Sequence, residues 1–290
     1  MDQARVPLWR HPGFLLLYSV GATALAIGGA MAVGMTLRPY KGPMTSLLTA
    51  VLVAAIFVAV FVAFCRWIEG RPATELAPSA LPYELPAGIL TGLAIFSVIV
   101  GVIAAFGGYR VIGYHDAKVL VPALAVAISS GFSEEIFFRG FFFRLTEKWL
   151  GTWAALGLSA ALFGGLHLGN PNATPLAAVA IMLEAGIMLA AIYMITRRLW
   201  AAIGLHAAWN FAQGGIYGIP VSGGAMDGVL RPDIRGSDLL TGGAFGAEAS
   251  LPAIVVATAF GLVLLYIAWQ RGQFMAPIWI RRRQGAVEQA

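Results

Sequence analysis

The sequence predicts an all-α fold, a polytopic membrane helical bundle of about eight transmembrane helices. Three observations carry this. The 290 residues are 59% hydrophobic and only 11% charged, against about 25% charged in a soluble domain. Mean hydropathy is +0.79. The apolar residues form continuous runs, and a spanning helix needs about 20 mostly apolar residues. Barrel strands would instead alternate in segments of about ten residues. Disorder is excluded, because it needs low hydrophobicity and high net charge.

The expected spans are 14–37, 44–65, 85–106, 119–143, 151–168, 176–196, 199–219 and 251–269. The first is too long for a signal-peptide core and reads as a retained span. The fourth carries charges near its far end, and the fifth is short. The seventh holds His206, Asn210 and Gln213 and would fail a strict hydropathy cut. The chain reads as one integral-membrane domain over 1–290, with a Gly-rich connecting loop at 220–250 and a short polar tail at 284–290. A loop of that length is usually functional or mobile.

The net charge of +5 does not point to nucleic acid, because the basic residues sit in short clusters between apolar runs. Twelve fall on one side: Arg5, Arg10, Arg66, Arg71, Arg144, Lys148, Arg197, Arg198, Arg271 and Arg281 to Arg283. Six fall on the other: Arg38, Lys41, Arg110, Lys118, Arg231 and Arg235. The positive-inside rule then puts both termini in the cytoplasm, and a bacterial cytoplasmic membrane is the expected location. The single cysteine, Cys65, excludes an internal disulfide and a Cys-cluster metal site. It reads as a small buried hydrophobe.

Ionisable side chains inside a bilayer are costly and point to function. Within the spans these are Glu134, Glu135, Arg139 and Glu184, with His167 and His206 in or at the ends of spans. Glu135 and Arg139 are four apart and share a helical face, where a carboxylate and a guanidinium tolerate each other. Glu134 points about 100° away, with no evident cation, and is suited to general acid or base chemistry. Phe163 and His167 share a face, as do His206 and Asn210. Counted at 1.5 Å per residue from the Arg-rich side, Glu134, His206 and Asn210 lie roughly 15, 10 and 16 Å deep. His167 comes out deeper, at about 24 Å. Glu184 is mid-span and reads as a further site member, a histidine partner or a protonated structural residue.

Glu-Glu-x-x-x-Arg, Phe-x-x-x-His and His-x-x-x-Asn, in that order on successive spans, resemble the CPBP family. This group holds CAAX-processing endopeptidases and bacteriocin-processing or immunity proteins, and is also called the Abi family. The resemblance covers residues 119–215, including the lead-in Leu199-Trp200-Ala201-Ala202, and Thr241 to Gly246 looks like a segment of many bacterial members. It implies an intramembrane endopeptidase acting on a membrane-associated or prenylated peptide or protein. Glu134 would activate water and His167 would orient it. His206 and Asn210 would stabilise the oxyanion, while Glu135, Arg139 and Phe163 support the site. Glu184 departs from the family, where a nonpolar residue is expected.

Cofactors divide two ways. Glu134, His167 and His206 could form a two-His-one-carboxylate zinc site. The histidines do not share a His-Glu-x-x-His helix, and a metal-free, glutamate-dependent mechanism is favoured. Two other classes stay open: a non-proteolytic membrane scaffold or immunity protein, and a proton-coupled transporter built on Glu134, Glu184 and the histidines.

Overall fold

The computed structural model describes residues 7–287. Among the described residues, seven helices are long and apolar enough to cross a membrane. In chain order the first six are α1 (Pro12–Leu37), α2 (Pro43–Glu69), α3 (Leu81–Ala105), α4 (Ala117–Leu150), α5 (Thr152–Gly169) and α6 (Pro175–Thr196). The expected seventh span is α7 (Trp200–Asn210), continued by a π-helical stretch Phe211–Ile216. It is shorter than the others, and almost every α7 side chain is buried. Its neighbours, rather than lipid, therefore satisfy its polar residues. The seventh long helix is α8 (Leu251–Gln270), followed by α9 (Ile278–Val287). The polar tail is thus helical as far as Val287. Arg5 and residues 288–290 lie outside the described residues.

The helix boundaries follow local chemistry. Pro12, Pro43, Pro175 and Pro252 sit in first turns, where a missing N–H costs nothing. The Ser250 and Thr174 side chains accept from Ala253 N and Ala177 N, satisfying amides that helix starts leave unpaired. Gly70, at φ 69°, ends α2 in the left-handed region.

The 220–250 segment is not a plain connection. It carries β2 (Leu230–Ile234), which pairs antiparallel with β1 (Tyr109–Tyr114) across a break in register between Val111 and Gly113. β1 is rich in aromatic and β-branched residues, which favour strands. Pro232 is tolerated because a two-stranded ribbon consists of edges. The same segment then forms a helical turn, Asp238–Thr241.

Close backbone packing positions the middle of the molecule. A Cβ on Gly88 of α3 would lie 2.9 Å from Leu205 N, and one on Gly204 of α7 would lie 3.0 Å from Ile89 N. On the other side of α7, a Cβ on Gly131 of α4 would lie 3.0 Å from Ala207 Cβ. Small residues let these helices touch. α7 is thereby held between α3 and α4, with His206 and Asn210 facing the Glu134–Glu135 turn.

At the Arg-rich end the loops are joined by ion pairs. Arg71 reaches Glu69 at 2.8 Å and Glu75 at 2.9 Å, and Arg144 reaches Glu69 at 2.7 Å. Arg197 pairs with Glu147 and Arg198 with Glu84. Cys65 is fully buried beside this network.

Candidate active site

The centre of the site is a buried relay across two helices. Glu135 Oε1 accepts from Arg139 Nη1 and from His206 Nδ1, each at 2.8 Å. Glu135 and Arg139 are completely inaccessible to solvent. The spacing of four made the Glu135–Arg139 pair legible, whereas the His206 contact joins residues 71 positions apart. Because a carboxylate only accepts, His206 carries a proton on Nδ1. Its Nε2 faces Glu134 Oε2 at 3.9 Å.

A second device engages the far nitrogen of Arg139, while its Nε has no hydrogen-bond partner among the described residues. The chain is π-helical over Ile136–Phe143 and over Met182–Gly186. Such stretches displace carbonyls from the regular ladder and recur at functional sites. Arg139 Nη2 donates to Ala185 O at 2.9 Å and to Gly186 O at 3.4 Å. Its guanidinium also lies 4.8 Å from the Phe163 ring centroid, a cation–π arrangement. A buried charge needs such partners, because an isolated one is prohibitively costly.

Phe163 connects the two histidines. Its ring centroid is 4.8 Å from that of His167 and 6.1 Å from that of His206. His167 Nδ1 bonds Phe163 O at 2.7 Å. A carbonyl only accepts, so Nδ1 is the donor and Nε2 is left free. Asn210 Nδ2 donates to Ser130 Oγ at 2.8 Å, one turn before Glu134. Ser130 in turn donates to Val126 O.

A cavity of about 30 Å³ is lined by His167, Glu184, His206, Asn210, Ser222 and Glu248, among others. That is room for a water molecule with several polar partners. His167 thus joins His206 and Asn210 despite its greater counted depth: α5 is short and its α-helical part ends at Leu166, leaving His167 in a tight turn. Glu134 is not among the lining residues. It approaches His206 with a side chain about one-third exposed, and its Oε2 has no hydrogen-bond partner. His167 bonds back to its own helix through Nδ1, not to Glu134.

Glu184 and Glu248 are both almost completely buried, and Glu184 Oε2 and Glu248 Oε1 have no hydrogen-bond partner among the described residues. Glu248 precedes α8, and burial pushes its carboxyl up to about 7, against the pull of Ser222 and Gln213. Sequence reasoning missed Glu248 and Ser222. The available signal was Glu184 itself, a carboxylate without a partner, together with a second carboxylate three residues before an apolar run.

Among the described residues, no three His, Cys, Asp or Glu side chains come together in an arrangement that could hold a metal ion. Glu134, His167 and His206 do not form such a group.

Residues 116–212, about a third of the chain, match the family model described as Type II CAAX prenyl endopeptidase Rce1-like. No curated protein and no solved structure matches the chain. The matched segment contains all three sequence motifs.

Proposed function

We propose, from the premise that the motif-bearing segment belongs to the CAAX-type endopeptidase family, that this integral membrane protein hydrolyses a peptide bond within the bilayer. Its substrate is a membrane-associated peptide or protein, of the prenylated type or unlipidated. Both chain termini face the cytoplasm in this reading, in accord with the twelve-to-six division of basic residues.

The observation that carries the reading is the convergence on His206. Its Nδ1 is fixed by the buried Glu135–Arg139 pair, and its Nε2 faces an unpaired Glu134 oxygen. In the proposed reaction, Glu134 takes a proton from water, which the free Nε2 of His167 helps orient. The resulting hydroxide attacks the scissile carbonyl carbon. The developing oxyanion accepts from His206 Nε2–H and from the Asn210 amide, whose second N–H is not needed by Ser130. This role requires His206 to carry a proton on both ring nitrogens. Collapse breaks the C–N bond, and the proton held by Glu134 passes to the leaving amine.

The test is cleavage of a membrane-anchored peptide by the purified chain in vesicles. Glu134→Gln is expected to abolish turnover. Asn210→Ala should lower it by about 10²–10³, the usual effect of losing one oxyanion donor. Turnover should survive a strong chelator. Cleavage unchanged in Glu134→Gln would overturn the reading, and loss of cleavage with chelator alone would overturn its metal-free form.

A further inference from the structure

A second cavity, of about 720 Å³, opens at the Arg-rich end and shares no lining residue with the one beside the histidines. Its walls come from the α2–α3 link, the end of α4, the end of α6 and the α8–α9 link. Four cations line it (Arg144, Lys148, Arg197 and Arg281) against two carboxylates, Glu75 and Glu147.

Both carboxylates are already engaged. Glu75 accepts twice from Arg71. Glu147 is held by Arg197 and accepts from Thr152 Oγ1 at 2.7 Å. The cations are less satisfied. Arg144 is 3% exposed and donates to Gly140 O and Glu69, but its Nη2 has no partner among the described residues. Lys148 Nζ comes no closer than 3.7 Å to Glu69. Among the described residues, Arg281 binds only the backbone oxygens of Ala276 and Lys148. With four cations facing two carboxylates that are already engaged, the cavity is short of negative charge.

The surroundings indicate where that charge comes from. Trp9, Trp153, Trp269 and Trp279 are exposed at this end of the bundle, and tryptophans mark the headgroup level of a bilayer. α9 begins Ile-Trp-Ile-Arg-Arg-Arg, with Trp279 and Ile280 exposed beside its arginines. This composition suits a helix lying in the membrane interface. The geometry points to a binding site for the phosphate group of an anionic glycerophospholipid, held by Arg144, Lys148 and Arg281. Basic pockets between spanning helices take lipid headgroups, and guanidinium matches phosphate oxygens two at a time.

The full chain in neutral detergent tests this, with bound lipid counted by native mass spectrometry and the thermal midpoint followed alongside. Phosphatidylglycerol should be retained and should raise the midpoint, while phosphatidylcholine should do neither. Lys148→Gln with Arg281→Gln should weaken phosphatidylglycerol retention about 10–30-fold, since each basic contact near the surface contributes about a factor of 5. Neither residue hydrogen-bonds a carboxylate, and Arg281 is exposed, so the fold should persist. Arg281→Gln alone, the milder change, should give an intermediate loss. Arg38→Gln with Lys41→Gln, at the opposite end, should leave retention unchanged. Equal retention of the two lipids, or full retention by the double variant, would overturn the proposal. An identical midpoint rise with inorganic phosphate alone would overturn the lipid as its source.

Discussion

Removing the Glu135 carboxylate would strand two groups at once, the buried Arg139 guanidinium and His206 Nδ1. Breaking a buried pair by deleting one partner costs roughly 3–5 kcal/mol, so Glu135→Ala should lower the thermal midpoint sharply. Glu135→Gln keeps the shape and an accepting oxygen. It should destabilise the fold less than Glu135→Ala does, and in the folded protein reduce kcat by about 10–100-fold with KM little changed, as loss of an orienting partner does. A variant with wild-type kcat would show that Glu135 only packs. At Glu248 the prediction concerns pH. The folded value of about 7 lies above the ordinary 4.5. Between those values the folded chain keeps a proton that the unfolded chain has lost. The contribution of Glu248 to stability should therefore fall as pH rises from about 4.5 to 7. Thermal midpoints measured at pH 5 to 7 should show this slope, and Glu248→Gln should make it shallower. The sequence exposed Glu135 with Arg139, and His206 with Asn210, because each pair is local. It hid the Glu135–His206 bond and the approach of Glu248 to Glu184, because chain spacing carries no trace of a partner on another helix.

Among the helices, α7 decides whether the site exists. It has little apolar length of its own and is placed by contact with α3 and α4. Gly88→Val would drive a side chain into the Leu205 backbone, so the helices must separate, carrying His206 and Asn210 away from α4. Activity should drop at least tenfold, since small displacements from productive geometry are costly. Circular dichroism should still report a helical protein. Full activity in that variant would show that the contact is dispensable. Hydropathy alone located the long spans, because lipid-facing surface must be apolar. It described α7 less well, since a helix enclosed by protein answers to its neighbours. The π-helical stretches and the β1–β2 ribbon were also out of reach. The first depend on how one helix meets another, and the second joins segments separated by more than 100 residues.

Taken as a whole, the molecule is fastened unevenly. The Arg-rich end is cross-linked by Arg71, Arg144, Arg197 and Arg198 to carboxylates on other segments, several of them buried. The far end is held by a two-stranded ribbon and a glycine-bearing segment. Such a body has a stiff root and a compliant mouth. Bending is then expected where Ser222 and Glu248 meet His167 and His206, and in the proposed reading a peptide entering from the lipid would part the helices there, as fingers spread from a closed palm.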